Sequence, residues 1–202
     1  MLNTSKIPSP ASPKQARSKA RRQALLDAGV KLFNKHGVDD VSIRDITQTL
    51  GYSTGSFYSY FADKTEYFVA VQRSVAAEQS RRAKEILAAE NVADLSLPER
   101  LELCVTFAVT YFRKHTGLVH AALSYERRIP EGWQPNRQTT ELITTSASAG
   151  LAEDQSAKLK VAIQLAFGLL VNSLLHNPGP LRLVDDDLTD HIVQALTPYL
   201  KC

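Results

Sequence analysis

Six hydroxyl-bearing residues fall within eight positions: Ser53, Thr54, Ser56, Tyr58, Ser59 and Tyr60, with Gly55 among them. A hydroxyl both donates and accepts, and none of these groups is charged. Such a set can serve phosphate oxygens, base edges or both. Gly55 allows close backbone approach. Two cations flank the run: Arg44, whose fork matches the O6 and N7 acceptors of guanine, and Lys64. A phosphate contact or a surface ion pair would suit Arg44 equally well.

These side chains need short helices to hold them. Ser42 is a candidate N-cap, with Asp45 three residues on, close to a capping-box pattern. Ile43, Ile46 and Leu50 follow at helical spacing, and Gly51 stands where a left-handed C-terminal residue belongs. The amides at such a helix start make Ser42 a natural phosphate position. Ser53 caps a second helix, expected over Thr54–Phe61, with Phe57 and Phe61 on one buried face. A longer helix, expected over Ser18–His36 and stopped by Gly37, presents Leu25, Ala28, Gly29, Leu32 and Phe33 as a stripe to pack behind them. The pattern is a helix-turn-helix, whose second helix enters a DNA major groove.

The run Gly55-Ser56-Phe57-Tyr58-Ser59-Tyr60-Phe61-Ala62-Asp63-Lys64-Thr65-Glu66 resembles the signature of tetracycline-repressor (TetR) family regulators. Upstream, Ala24-Leu25-Leu26-Asp27-Ala28-Gly29, Leu32-Phe33, Gly37 and Val41-Ser42-Ile43-Arg44-Asp45-Ile46 extend the resemblance, which spans about Arg17 to Phe68. It implies phosphate contacts from the Tyr58 and Tyr60 hydroxyls and from Lys64, with packing inside the small domain as the other reading of the tyrosines. It also implies that Arg44 reaches a base edge. The second helix departs from the best readers of sequence in holding no Arg, Lys, Asn or Gln. Arg44, thymine methyl contacts and DNA deformability are then left to supply discrimination.

Charge is unevenly spread. Residues 1–64 carry about +5 and the remainder about −2, within a chain whose net charge is +3. The basic part is the part with the motif, as phosphate attraction requires. Residues 1–16, rich in Ser, Pro and Lys, are expected to form a disordered tail. Arg17, Lys19, Arg21 and Arg22 then lead into the first helix, either as an arm on phosphates or the minor groove or as a solvated helix start. No apolar run is expected to span a bilayer. With no signal peptide and two cysteines, a reducing cytoplasmic setting is expected.

The fold class expected is all-α, in two parts: a three-helix helix-turn-helix DNA-binding domain over 17–66 and a helical effector-binding and dimerisation domain over 67–202. Asp63 and Glu66 open a helix expected to run to about Ala89 and to link the two parts. Ser96, Pro98 and Glu99 open another, ended by Gly117. Leu118–Arg128 reads as a short helix, 129–136 (IPEGWQPN) as a loop, and 138–151 as a polar helix. The helix over Asp154–His176 is apolar almost all round near Val161–Leu175, so it is either fully buried at the centre of a monomer or packed between its own core and a second partner. The Asn177–Pro180 stretch breaks it. A last helix, opened by Asp185–Asp187, buries Leu188, Ile192, Val193, Leu196 and Leu200. A second subunit would supply the missing partner through a four-helix bundle, and a homodimer would place two recognition helices about 34–36 Å apart on a palindromic operator.

The resemblance implies a small-molecule site among the central helices, for which the candidate lining groups are Phe107, Tyr111, Tyr125, Trp133, Gln164, Phe167 and Asn172; ordinary core packing is the other reading of each, and together they suggest an apolar or amphipathic effector. Cys104 reads as a buried small hydrophobe. Asp187 and His191 stand four apart but lack a third ligand, so neither metal nor cofactor is expected. No GxGxxG, P-loop, HExxH or nucleophile–base set occurs, which argues against an enzyme. The resemblance implies a ligand-responsive transcriptional regulator, most often a repressor. The alternative is an architectural or cell-division DNA-binding protein with the same head and no small ligand.

Overall fold

The computed structural model describes residues 13–176 and 179–201, and every regular element among them is helical. Three helices form the head: α1 (Pro13–His36), α2 (Ile43–Thr49) and α3 (Thr54–Tyr58). Six more follow: α4 (Lys64–Ala89), α5 (Leu97–Lys114), α6 (Thr116–Ser124), α7 (Pro130–Ala147), α8 (Glu153–Leu175) and α9 (Leu188–Lys201). A short 3-10 turn, Val92–Asp94, joins α4 to α5.

Helix starts obey their caps. Ser42 accepts from the Asp45 amide at 3.1 Å while Asp45 Oδ2 accepts from the Ser42 amide at 2.8 Å, which completes a capping box. Asp63 accepts from the Glu66 amide at 2.8 Å, and Glu66 reaches past it to the Ala62 amide at 2.7 Å. At the start of α5, Glu99 accepts from the Ser96 amide at 2.8 Å. Gly51, with φ of 66°, turns the chain between α2 and α3.

The head closes on one aromatic cluster. Phe33, Phe57 and Phe61 surround Tyr67, each within 5.7 Å of its ring centroid. Tyr67 is fully buried on α4, and its hydroxyl donates to the Leu25 carbonyl of α1 at 2.5 Å. Burial pushes the phenol pKa up, so the group stays a neutral donor. Gly29 makes room for it: a Cβ there would stand 2.3 Å from the Tyr67 oxygen. α4 therefore belongs to the head as much as to the body.

In the body α4 lies along α7, and α5 packs on α8 and α9. Buried Arg100 on α5 donates to the carbonyls of Ala147 and Ala149 at the end of α7, and to those of Ala93 and Leu95. Carbonyls at a helix C-terminus carry the partial negative charge that a buried guanidinium needs. α9 buries Leu188, Ile192, Leu196 and Leu200 against α5 and α8, while Val193 is half-buried.

Several sequence expectations need correction. α1 begins at Pro13, so residues 13–16 are helical; the rest of the expected tail lies outside the described residues. α3 ends at Tyr58, short of Phe61. Gly117 does not end α5, which stops at Lys114. It lies in the first turn of α6, where a Cβ would stand 2.6 Å from the Phe33 carbonyl oxygen. The stretch read as a loop is helical from Pro130 onward. Pro130 occupies a first-turn position that needs no amide donor. Asn177 and Pro178 of the expected break lie outside the described residues, and α8 is capped by His176. By length and composition α8 would suffice to cross a bilayer, contrary to the sequence expectation.

Candidate functional site

Two sites lie along α4, one beside its start and one beside its middle. The first is the outer face of α2 and α3. Ser42, Arg44, Ser53, Thr54, Gly55, Tyr58 and Ser59 are exposed, and Ser56, Tyr60 and Lys64 are half-buried. All ten lie around the helix-turn-helix. Their hydrogen bonds divide them. The Ser42 hydroxyl donates to Asp45 Oδ2 at 2.6 Å, which also holds the Asp45 carboxyl below the usual range. That hydroxyl is spent on capping, and the carboxylate beside it would repel a phosphate. Ser59 bonds back to the Gly55 and Ser56 carbonyls, and Ser53 caps α3 through the Ser56 amide. The Tyr60 hydroxyl accepts from Ser18 of α1, and the Lys64 ammonium donates to the Asp39 carbonyl. Tyr58 differs: its ring rests edge-on against Phe57, it is 56% exposed, and its hydroxyl has no partner among the described residues.

The basic run of α1 flanks this face. The Arg22 guanidinium lies 5.2 Å from the centroid of the Phe61 ring and that of Arg21 6.0 Å from Tyr52. Arg17, Lys19, Arg21 and Arg22 are exposed on a helix. These four residues therefore belong to α1 itself, which begins ahead of the expected start at Ser18.

The second site is a cavity of about 50 Å³ in the body. α5 contributes Cys104, Val105, Phe107, Ala108, Tyr111 and Phe112. α7 contributes Trp133, Asn136, Thr139, Thr140, Ile143 and Thr144. Gln79 of α4 and Ile163, Ala166 and Phe167 of α8 complete the lining. Four expected residues meet here: Phe107, Tyr111, Trp133 and Phe167. The other three do not. Tyr125 packs edge-on to Phe68 and hydrogen-bonds the Asp39 carboxylate, which raises its pKa. It joins body to head. Gln164 and Asn172 are exposed on α8. Sequence reading missed Gln79, Asn136 and the threonines of α7. A polar face in an otherwise buried helix was their one signal.

The cavity's polar groups are already linked. Tyr111 donates to Asn136 Oδ1, and Asn136 Nδ2 donates to Gln72 Oε1 at 3.5 Å. Gln72, fully buried, donates to the Leu118 carbonyl at 2.9 Å, and the Leu118 amide donates to Asn34 of α1 at 3.1 Å. Gln79 meets His115 at 3.4 Å. Burial, with Lys114 and Arg82 nearby, depresses the His115 pKa to about 4, so this ring is neutral. Burial pushes the Cys104 thiol up to about 12. Asp187 and His191 pair with each other at 3.2 Å. Among the described residues no cluster of three or more metal-ligating side chains occurs.

The head is thus a helix-turn-helix of the DNA-binding class: a short polar helix, Thr54–Tyr58, carried on an aromatic core, with exposed cations on α1 and α2. Residues 25–71 match the family described as bacterial regulatory proteins, tetR family. Over 87 residues it is 32% identical to the HTH-type transcriptional repressor AcnR of Corynebacterium diphtheriae, covering 43% of this chain and 46% of that protein. The chain spans about half the length of the curated relatives it matches first. The whole fold is shared more widely. A protein of Mesorhizobium loti assigned to the TetR-family regulators superposes with a TM-score of 0.73 at 15% identity, over 92% of this chain and 97% of that one. FadR of Bacillus subtilis, in complex with stearoyl-CoA, gives 0.58 at 17% identity over 86% and 96%.

Proposed function

We propose that this protein is a ligand-responsive transcriptional repressor that binds a palindromic operator as a homodimer and leaves it when a small effector fills the body cavity. One observation carries the reading. α4 contributes Tyr67 to the core that sets α3 and Gln79 to the cavity wall, so one rigid element touches both sites. The head is residues 17–66 and the body 67–202, with α4 shared. DNA contact falls to Tyr58, Thr54, Ser56, Tyr60, Arg44 and Lys64, with Gly55 admitting the backbone. Dimerisation falls to α8, whose Val161, Leu165 and Leu169 are 41%, 48% and 37% exposed on one face, with Gln164 and Asn172 beside them. Such a protein acts in the cytoplasm and catalyses no reaction.

Coupling follows from differential affinity: an effector that prefers the head spacing unsuited to DNA weakens DNA binding, and DNA weakens effector binding equally. The chain Asn136–Gln72–Leu118–Asn34 runs from cavity to α1 and supports this route. The test is fluorescence anisotropy with the DNA upstream of the protein's own coding region. Binding at one dimer per palindrome, with affinity falling steeply as salt rises, is expected. Sequence-independent binding that no small molecule alters would favour the architectural alternative.

A further inference from the structure

We infer that the effector is an uncharged, elongated molecule with one hydrogen-bonding end and a linear apolar tail, lying along α5 from Tyr111 to Leu103. The inference deepens the effector-binding reading and rests on it. A second, smaller cavity of about 10 Å³ adjoins the first, and Cys104, Phe107 and Ile143 line both. Its far side is formed by Ile86, Leu87 and Leu103, and Ile86 is 37% exposed. Leu103, Phe107 and Tyr111 are four apart on α5, so they form one stripe. Two such steps span about 12 Å, the length of an extended chain of about eight to ten carbons. The two spaces together make a slot that is polar at Tyr111 and Asn136 and apolar from Phe107 to Ile86.

No Asp, Glu, Lys or Arg lines either space. An ion brought into such a wall would be desolvated without a partner, a cost far above that of an alcohol or amide. The polar end offers what a neutral head needs. Asn136 and Tyr111 now satisfy each other, and Asn136 holds Gln72 only at 3.5 Å. A hydroxyl or carbonyl inserted between them gains hydrogen bonds and leaves none of the three groups bare. As the structure stands, the slot is too small for such a molecule. Phe107, half-buried, is the side chain positioned to swing aside and join the two spaces.

The test titrates the full-length protein by calorimetry with straight-chain 1-alkanols of four to twelve carbons, and with decanoate at pH 8. Affinity should rise about fourfold per methylene and level off near ten carbons. Decanoate should bind at least about a hundredfold more weakly than 1-decanol. Phe107→Trp should move the plateau to about six carbons, and Asn136→Leu should weaken 1-decanol while leaving the length dependence intact. Decanoate binding as tightly as 1-decanol, an affinity indifferent to chain length, or no alkanol binding at all would each overturn the inference. Operator release is scored separately. A charged or compact compound that releases the DNA sinks the inference and leaves the repressor standing. Alkanols that bind in the slot without releasing DNA sink the repressor reading alone.

Discussion

Gly117→Ala tests whether head and body are joined where α6 meets α1. A Cβ at this position would stand 2.6 Å from the Phe33 carbonyl oxygen and 2.7 Å from Asn34 Cα, all of it backbone. No side chain can rotate out of the way, so α6 must retreat by about 0.8 Å to restore ordinary contact. That retreat stretches the 3.1 Å bond from the Leu118 amide to Asn34 and the 2.9 Å bond from Gln72 to the Leu118 carbonyl. Overpacking of this kind costs about 1–3 kcal/mol, and a weakened buried hydrogen bond adds about 1 kcal/mol. We expect urea unfolding to show a loss of about 2–4 kcal/mol with an unchanged m-value, and operator affinity to fall in protein that is still folded. Gly168 is the internal comparison, since nothing lies within 4 Å of a Cβ placed there. Because Gly168 lies on the α8 face assigned to dimerisation, Gly168→Ala should be neutral or stabilising by up to about 1 kcal/mol in the monomeric Leu165→Arg background. A Gly117→Ala protein that loses less than about 0.5 kcal/mol and binds DNA normally would refute the close-contact argument.

Three further outcomes follow from the same geometry. Tyr58→Phe should weaken operator binding about fivefold, with the melting temperature unchanged because the hydroxyl makes no contact within the described residues; anisotropy and thermal scans check both halves. Leu165→Arg, on the exposed face of α8, should give a helical monomer by light scattering that no longer binds a palindrome. His115, held neutral by burial with a pKa of about 4, takes up its proton in the unfolded chain near 6.5. Its contribution is therefore fully present above pH 6.5 and lost as pH falls toward 4, by about 1–2 kcal/mol after solvent screening. The stability difference between the native protein and His115→Asn should shrink over that window, and a difference that ignores pH would count against the assignment.

Local chemistry was legible in the sequence and distant chemistry was not. Ser42 with Asp45, Asp63 with Glu66, and Ser96 with Glu99 announced three helix starts because each cap is settled within four residues. The stripe from Leu25 to Phe33 and the pair Phe57 and Phe61 announced the head core because each repeats at helical spacing within its own stretch. Tyr67 carried no such mark, since its partner is a carbonyl 42 positions earlier. Helix α7 was misread over 130–136 because its inward face holds Asn136 and Thr139, where periodicity looks for Leu or Val. A helix that lines a polar-ended cavity hides itself from a search for apolar spacing. Gly117 was read as a stop for want of any sign that another helix's backbone lies against it. Gln164 and Asn172 were placed in the cavity because an apolar helix gives no hint of which face turns inward.

The seam between α1 and α6 also bears on how such proteins are recombined. A chimaera that joins this head to a foreign body within α4, just beyond Tyr67, would keep Tyr67 and its hold on Leu25. It would lose Gly117, the Leu118 peptide and Tyr125, the surfaces that α1 and the Asp39 loop rest upon. The transplanted head would then be joined to the new body through α4 alone. Carrying residues 116–125 across with the head would restore the surfaces on which α1 and the Asp39 loop rest.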